Sequence, residues 1–339
     1  MKSIRVQDAV GMVLCHDITE IVPDEFKGPT YRKGHVIKHA DIEKLLDMGK
    51  RFIYVFELTG DQVHENEAAK RIAKAATGPG LLLSEPSEGK VTLAADANGL
   101  LKIDVSALFM INQIQDIMFA TLHTHQQVAA NQAIGGTRII PLVTDETRIQ
   151  RVETICHDHF PILHVKPFRP HQVGLIVTGS EVFEGRIEDG FGPVVEKKFK
   201  GLGSQIMAYQ KVSDDVEMTV KAIHDLIDKG AGMIAITGGM SVDPDDQTPA
   251  SIRAAGGKVI TYGAPILPGA MFMLAYIQDI PVVGLPGCVM YHQTSIFDLV
   301  VPRLLAGEPV TRDHIVAMGH GGFCSNCATC RYPICPFGK

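Results

Sequence analysis

The sequence predicts an α/β protein in which a parallel sheet wound with helices follows a smaller α+β region. Three observations carry this expectation. From residue 173 onward, short β-branched runs alternate with helical patterns: strand VGLIVT (173–178), helix PVVEKKFKGLG, strand SQIMAYQKV, helix DVEMTVKAIHDLIDKG, strand MIAIT (233–237) and strand IPVVGLPG (280–287). A parallel crossover needs a dozen or more residues and a helix supplies them, so this alternation specifies a sheet with helices on both faces. Second, the strands run into glycine turns at Thr178-Gly179-Ser180-Glu181, Thr237-Gly238-Gly239 and Pro286-Gly287, with a further turn at Pro268-Gly269. Ligands of open α/β sheets bind outside the carboxyl ends of the strands, so this rim is the expected binding site. Third, before residue 170 helix and strand signals follow one another without regular alternation.

Composition narrows the chemistry. With 339 residues, 45% hydrophobic and 21% charged, the chain can bury a large core and divides by length into two or three domains. The net charge of −6, with acids and bases mixed, supplies no basic stripe for nucleic acid, which leaves small-molecule chemistry. The N-terminal MKSIRVQDAVG lacks an apolar signal core, and no apolar run approaches the roughly 18 residues that a membrane span needs. The expectation is a cytoplasmic protein with no membrane partner.

Residues 1–58 read as a small α+β module, with helix HADIEKLLDMGK and strand RFIYVFEL. Residues 59–169 read as a middle α+β region. Within it, 61–76 is rich in helix formers, and EGKVTLAADANGLLKIDVSALFMI reads as a hairpin turning at Asn98-Gly99. Residues 106–133 have a helical pattern, TRIIPLVTD (137–145) and PILHVKPF (161–168) read as strands, and PFRPHQ reads as a linker. The helix between those strands carries Cys156-His157-Asp158-His159, four consecutive side chains that regular structure cannot direct at one metal.

The loop after strand 233–237 concentrates polar groups. Thr237 and Ser241 flank Gly238-Gly239, and Asp243, Asp245 and Asp246 place three carboxylates within four positions. That density suits Mg²⁺ held beside phosphate oxygens; it equally suits an ordinary acidic loop. Thr248-Pro249 reads as the N-cap and first residue of the next helix.

Taken in order, TGSEV at 178, Gly185-x-Ile187-x-Asp189, Ser213-Asp214-Asp215, TGGMS followed by Asp246, Pro268-Gly269 and LPG at 285 resemble the molybdopterin-binding domain of molybdopterin molybdenumtransferases and adenylyltransferases. The match covers roughly 172–305. DAVGMVLCHDI and RKGHVIKHADIEKLLDMGKRFIYV resemble the opening of the transferase. The resemblance implies a three-layer α/β/α domain over 170–310 that takes molybdopterin. Thr178, Gly179, Ser180, Glu181, Thr237, Gly238, Gly239, Ser241, Pro268, Gly269, Pro286 and Gly287 would cradle pterin and phosphate. It further implies Asp246 and Asp189 as catalytic carboxylates, and a homodimer that accepts adenylylated molybdopterin and an oxyanion and inserts molybdate with loss of AMP; the acidic density of the loop itself makes Asp243 and Asp245 the expected Mg²⁺ ligands. Two other functions fit the same domain: a cofactor carrier or sensor serving a molybdoenzyme client, and a nucleotide pyrophosphatase of the competence-damage-inducible type. The sequence departs from the family at three places. Gly190-Phe191 stand where a Ser or Thr and then Asn are usual, Ala270-Met271 replace Lys-Pro, and Cys288-Val289 replace Asn-Pro.

Residues 319–339, GHGGFCSNCATCRYPICPFGK, form a Cys-rich tail with Cys324, Cys327, Cys330 and Cys335 in the spacing C-x₂-C-x₂-C-x₄-C-P. Bacterial ferredoxins use the same spacing with one residue fewer before the last cysteine, whereas zinc sites pair two C-x₂-C knuckles across a longer span. The tail is expected to hold an iron–sulfur cluster or Zn²⁺.

Overall fold

The computed structural model describes residues 2–22, 26–55 and 61–339. The chain divides into two compact units, one of residues 1–96, 103–122 and 130–164, the other of residues 97–102, 123–129 and 165–339. Among the described residues no helix is long and apolar enough to cross a membrane.

In the first unit, strand Lys2–Arg5 pairs antiparallel with Phe52–Val55. Helix His39–Asp47 contributes Leu45 to a core with Val6, Leu14, Ile18, Ile37 and Ile53. The end of the expected strand RFIYVFEL, at 56–58, lies outside the described residues. The rest of the unit is an antiparallel sheet in the order Leu81–Leu83, Lys90–Ala95, Ala133–Ile139, Ile117–Thr121. It is accompanied by helices Glu65–Ala76 and Glu146–Asp158, which Arg71 joins through 2.8 Å bonds to Glu146 and Glu153.

Several expectations fail here for identifiable reasons. The hairpin at Asn98-Gly99 does not form: Lys90–Ala95 pairs with Ala133–Ile139, and Gly99–Ile103 pairs with Gln127–Val128 in another sheet. Gly99 is a strand residue whose added Cβ would stand 2.4 Å from the Lys166 carbonyl oxygen, so its role is close approach of backbones and not turning. The helix expected over 106–133 is only Val105–Asn112. Asp116 adopts a left-handed φ of 70°, which no helix continues through, and the apolar IMFAT that follows pairs as a strand. Apolar residues at 111, 114, 117 and 118 fit a helical face, but the last two belong to strand Ile117–Thr121. Residues 61–76 begin with strand Gln62–His64 before the helix, and it pairs with Val143–Asp145, so 137–145 is two strands and not one.

The second unit contains the α/β sheet. Its order is Gln205–Val212, Gln172–Thr178, Met233–Thr237, Ile280–Leu285, Met273–Ile277, Lys258–Tyr262. The first four strands are parallel and the last two antiparallel, a pair absent from the sequence reading. Period-two alternation sorts the side chains between the faces. Val173, Leu175 and Val177 join Val195 and Phe199 of helix Phe191–Gly201 and Phe297 and Val300 of helix Ile296–Leu305. Ile176, Ile234 and Ile236 join Ile223 and Leu226 of helix Val216–Asp228 and Ile252 of helix Thr248–Ala254. The result is a three-layer α/β/α domain.

An ion network in this unit makes its stability pH-dependent. Lys102 bonds Glu308 at 2.5 Å and His125 Nε2 at 2.8 Å, and Lys166 also pairs with Glu308. Burial, then Arg303 and Lys102, push His125 down to about 3. Burial would raise Glu308, but hydrogen bonds from Lys102 and Lys166 outweigh it and bring the carboxyl to about 2. Below pH 6.5 the unfolded chain protonates His125 while the folded protein does not, so stability falls as pH drops toward 3. Glu308 adds a further loss between 4.5 and about 2. Urea unfolding should show the unit losing on the order of 2 kcal/mol between pH 6.5 and 4. His125→Asn, which keeps the left-handed φ of 64°, should flatten the upper part of that slope; an unchanged slope would assign it to other groups.

Candidate functional site

Beyond the carboxyl ends of strands Met233–Thr237 and Ile280–Leu285 lies an open cleft of about 570 Å³. Gly238, Gly239, Met240, Ser241 and Asp246 line one side, Leu267 to Met271 another, and Pro286, Gly287, Cys288 and Phe191 complete it. The glycines are required by geometry. Gly238 has φ 87°, and a Cβ on it would stand 2.2 Å from the Thr178 carbonyl oxygen. At Gly239, φ is 57° and the Cβ would meet Thr248 Oγ1 at 2.8 Å; at Gly269, φ is 137° and it would meet Ile296 at 2.5 Å. Buried threonines fix the turn from below. Thr248 Oγ1 donates to the Gly238 carbonyl at 2.8 Å, and Thr178 Oγ1 donates to the Thr237 carbonyl at 3.3 Å. Thr248 is therefore the first helical residue, after Gln247, and not the N-cap expected from sequence. Thr237 Oγ1 is buried with no hydrogen-bond partner, directly before the glycines.

Asp246 is the one carboxylate among the lining residues, and its Oδ2 accepts the Asp243 N–H at 2.8 Å. None of those residues is Lys or Arg, because Ala270 and Met271 occupy the turn after Gly269. The donors that the lining offers to an anion are therefore backbone N–H groups.

Residues 174–306 match a family profile described as "Probable molybdopterin binding domain". This stretch is similar to molybdopterin-binding domains. Residues 3–57 match a domain of unknown function, DUF8806. Among curated proteins, the chain is similar to a molybdopterin molybdenumtransferase of Staphylococcus aureus (strain COL), 25% identical over 130 residues, covering 36% of this chain and 31% of the relative. A molybdopterin molybdenumtransferase of Bacillus subtilis (strain 168) is 26% identical over 153 residues, covering 43% and 35%. The chain thus spans about a third of the length of the curated relatives it matches. Among solved structures, the molybdopterin biosynthesis enzyme MoaB of Thermus thermophilus is 19% identical over 41% of this chain and 98% of its own, with a TM-score of 0.33. The tungsten cofactor synthesizing protein MoaB of Pyrococcus furiosus is 20% identical over 41% and 96%, with a TM-score of 0.34.

The α/β domain brings together part of the predicted site. Gly238, Gly239, Ser241, Asp246, Pro268, Gly269, Pro286 and Gly287 all line the cleft, and Thr237 lies immediately behind it. Thr178, Gly179, Ser180 and Glu181 are outside the lining residues. Thr178 supports the glycine turn, and Ser180 is engaged by Asp214, with its N–H at 2.8 Å and its hydroxyl at 3.0 Å. Asp243 and Asp245 are exposed and outside the lining as well. Asp189 accepts the N–H groups of Phe191 and Gly192 at 2.8 Å each, caps the start of that helix, and bonds Tyr209, whose hydroxyl is raised by burial and then by this carboxylate. It borders a separate cavity of about 690 Å³ together with Glu188, Glu196 and Lys211.

Sequence reasoning did not single out Phe191, Met240, Leu267 or Met271 for the cleft. Only their closeness to the glycine and proline turns pointed to them. Cys288 faces the cleft, and burial holds its thiol above the ordinary value. In the first unit, Cys156 is buried and pushed up to about 12, His157 pairs with Asp158 at 3.2 Å, and His159 reaches Asp104 at 3.4 Å, so these neighbours point to different partners. The four tail cysteines border a cavity of their own in the second unit.

Proposed function

We propose that the chain acts in molybdenum cofactor biosynthesis as a molybdenumtransferase, taking adenylylated molybdopterin into the 238–288 cleft and inserting molybdate as AMP is lost. The observation that carries this reading is the convergence of three glycine turns and one carboxylate on the rim of a molybdopterin-binding domain. The N–H groups of the 238–241 turn would hold the pyrophosphate.

A Mg²⁺ ion fits Asp246, because this ion is typically held by one or two carboxylates together with substrate phosphates. When bound it would neutralise charge developing on the departing AMP phosphate. The Asp243 N–H fixes one oxygen of Asp246 at 2.8 Å, which sets the direction of the other. With this reading go cytoplasmic location, a homodimer and a molybdoenzyme that receives the finished cofactor.

The test is AMP release from adenylylated molybdopterin with Mg²⁺, with and without molybdate. Asp246→Asn should lower molybdate-dependent release by about 100-fold or more, the scale of removing a charge-stabilising group, while the thermal midpoint stays put. An unaffected rate would remove Asp246 from the chemistry. Tight pterin binding without release would make the protein a carrier, and molybdate-independent hydrolysis of ADP-ribose would make it a pyrophosphatase.

A further inference from the structure

We propose that Cys324, Cys327, Cys330 and Cys335 hold a single [4Fe–4S] cluster in the cavity they border, and that this cluster clasps the Leu267 loop of the pterin cleft. All four thiols are free and line one cavity of about 190 Å³. They come from twelve consecutive residues whose two ends are anchored. At the front, Cys324 N–H donates to Leu267 O and Leu267 N–H donates to Gly322 O, both at 2.8 Å. At the back, Gly338 N–H closes onto Gly321 O at 2.9 Å and Phe337 is buried in the domain core. Between them the Tyr332 hydroxyl donates to the Asp298 carbonyl at 2.8 Å. These bonds fix the loop around the cavity, and Cys324 and Cys335 also pack against the domain core.

Spacing and volume favour a cluster over a single ion. Zinc bonds sulfur at about 2.3 Å, which draws four thiolates to about 3.8 Å from one another. The cavity that the four cysteines border together with Tyr291, Thr294 and Phe337 has several times the roughly 30 Å³ of a water molecule, room for a group with its own bulk. Thr294 Oγ1 lies 3.1 Å from Cys330 Sγ, placed to donate to a ligating sulfur, and Arg331 lines the same cavity as a counter-charge.

Leu267 forms the bridge to Phe323 of the tail and also lines the pterin cleft, so the two sites share one loop. This second part rests on the cleft being the pterin site; the cluster itself does not. The test is iron and acid-labile sulfide content of the whole chain purified anaerobically. About four of each per chain, with a visible charge-transfer band, is the expected result. Cys327→Ser, at the exposed thiol, should lose most of the iron and sulfide while the domain stays folded by circular dichroism. Thr294→Val should keep the iron but shift the reduction potential, and removal of the cluster should speed hydrogen exchange at 265–270. One zinc per chain without sulfide, or no metal after reconstitution with Fe²⁺ and sulfide, would overturn the proposal. Iron and sulfide are read without any pterin, so failure of AMP release and failure of the cluster are separate outcomes.

Discussion

Gly238→Ala should destabilise the α/β domain by about 3 kcal/mol or more and abolish pterin binding, although it adds a single methyl group. Two costs combine at this position. The left-handed φ of 87° disfavours any side chain, a penalty of about 1 kcal/mol. The new Cβ would also stand 2.2 Å from the Thr178 carbonyl oxygen, which is backbone of a central strand and cannot swing aside. Gly203 separates the two: its φ is 79°, but nothing lies within 4 Å of its Cβ position. Gly203→Ala should therefore cost only the backbone part, about 1 kcal/mol. Urea midpoints of the two variants measure the difference, and equal midpoints would mean that the 178 and 237 strands can part to make room. Binding of molybdopterin by Gly203→Ala should match the unaltered protein.

The legible part of the sequence was the part with local causes. A buried run ending in glycines, as at Met233 to Gly239, predicts both a strand and the place where it stops, because the Cβ-free turn and the apolar run are each encoded within a few residues. Elements whose identity depends on distant partners were misread. Ile117 and Met118 fit a helical face until Gly135 to Ile139 is found alongside them as a strand, and Gly99 resembles a turn residue until Lys166 is found against it. The same limit applied to the site. The glycine turns were readable as turns, but whether Asp189 faces the cleft or caps a helix depends on where Phe191 and Tyr209 lie, which no spacing reveals.

Replacing one partner of the Lys198–Asp298 pair should cost about 3–5 kcal/mol, the range for stranding a charge in a mostly buried site. Lys198 Nζ lies 2.9 Å from both carboxylate oxygens and 2.8 Å from the Gln293 carbonyl, with the two side chains only 13% and 16% exposed. Asp298 Oδ2 also accepts the Ser295 N–H at 2.8 Å, completing the capping box of helix Ile296–Leu305. Burial raises the Asp298 carboxyl above the ordinary 3.8 even though Lys198 pulls it down, so Lys198→Met should raise it further. A raised carboxyl costs stability as pH climbs, because the unfolded chain releases that proton first. The Lys198→Met variant should therefore recover part of its loss between pH 7 and pH 5, where His125 makes the unaltered protein weaken. Asp298→Asn keeps an acceptor for Ser295 but leaves the ammonium unpaired, and lower pH should not rescue it. In the double variant the stranded charge is gone, so its loss should be smaller than the sum of the two single losses. Additive losses in urea unfolding would show that the pair is hydrated in solution. Gln293, which Lys198 also holds, precedes Thr294 in the wall of the cysteine cavity. Lys198→Met should therefore loosen that wall and lower iron retention, whereas Asp298→Asn, which leaves the Lys198 bond to Gln293 in place, should lower it less.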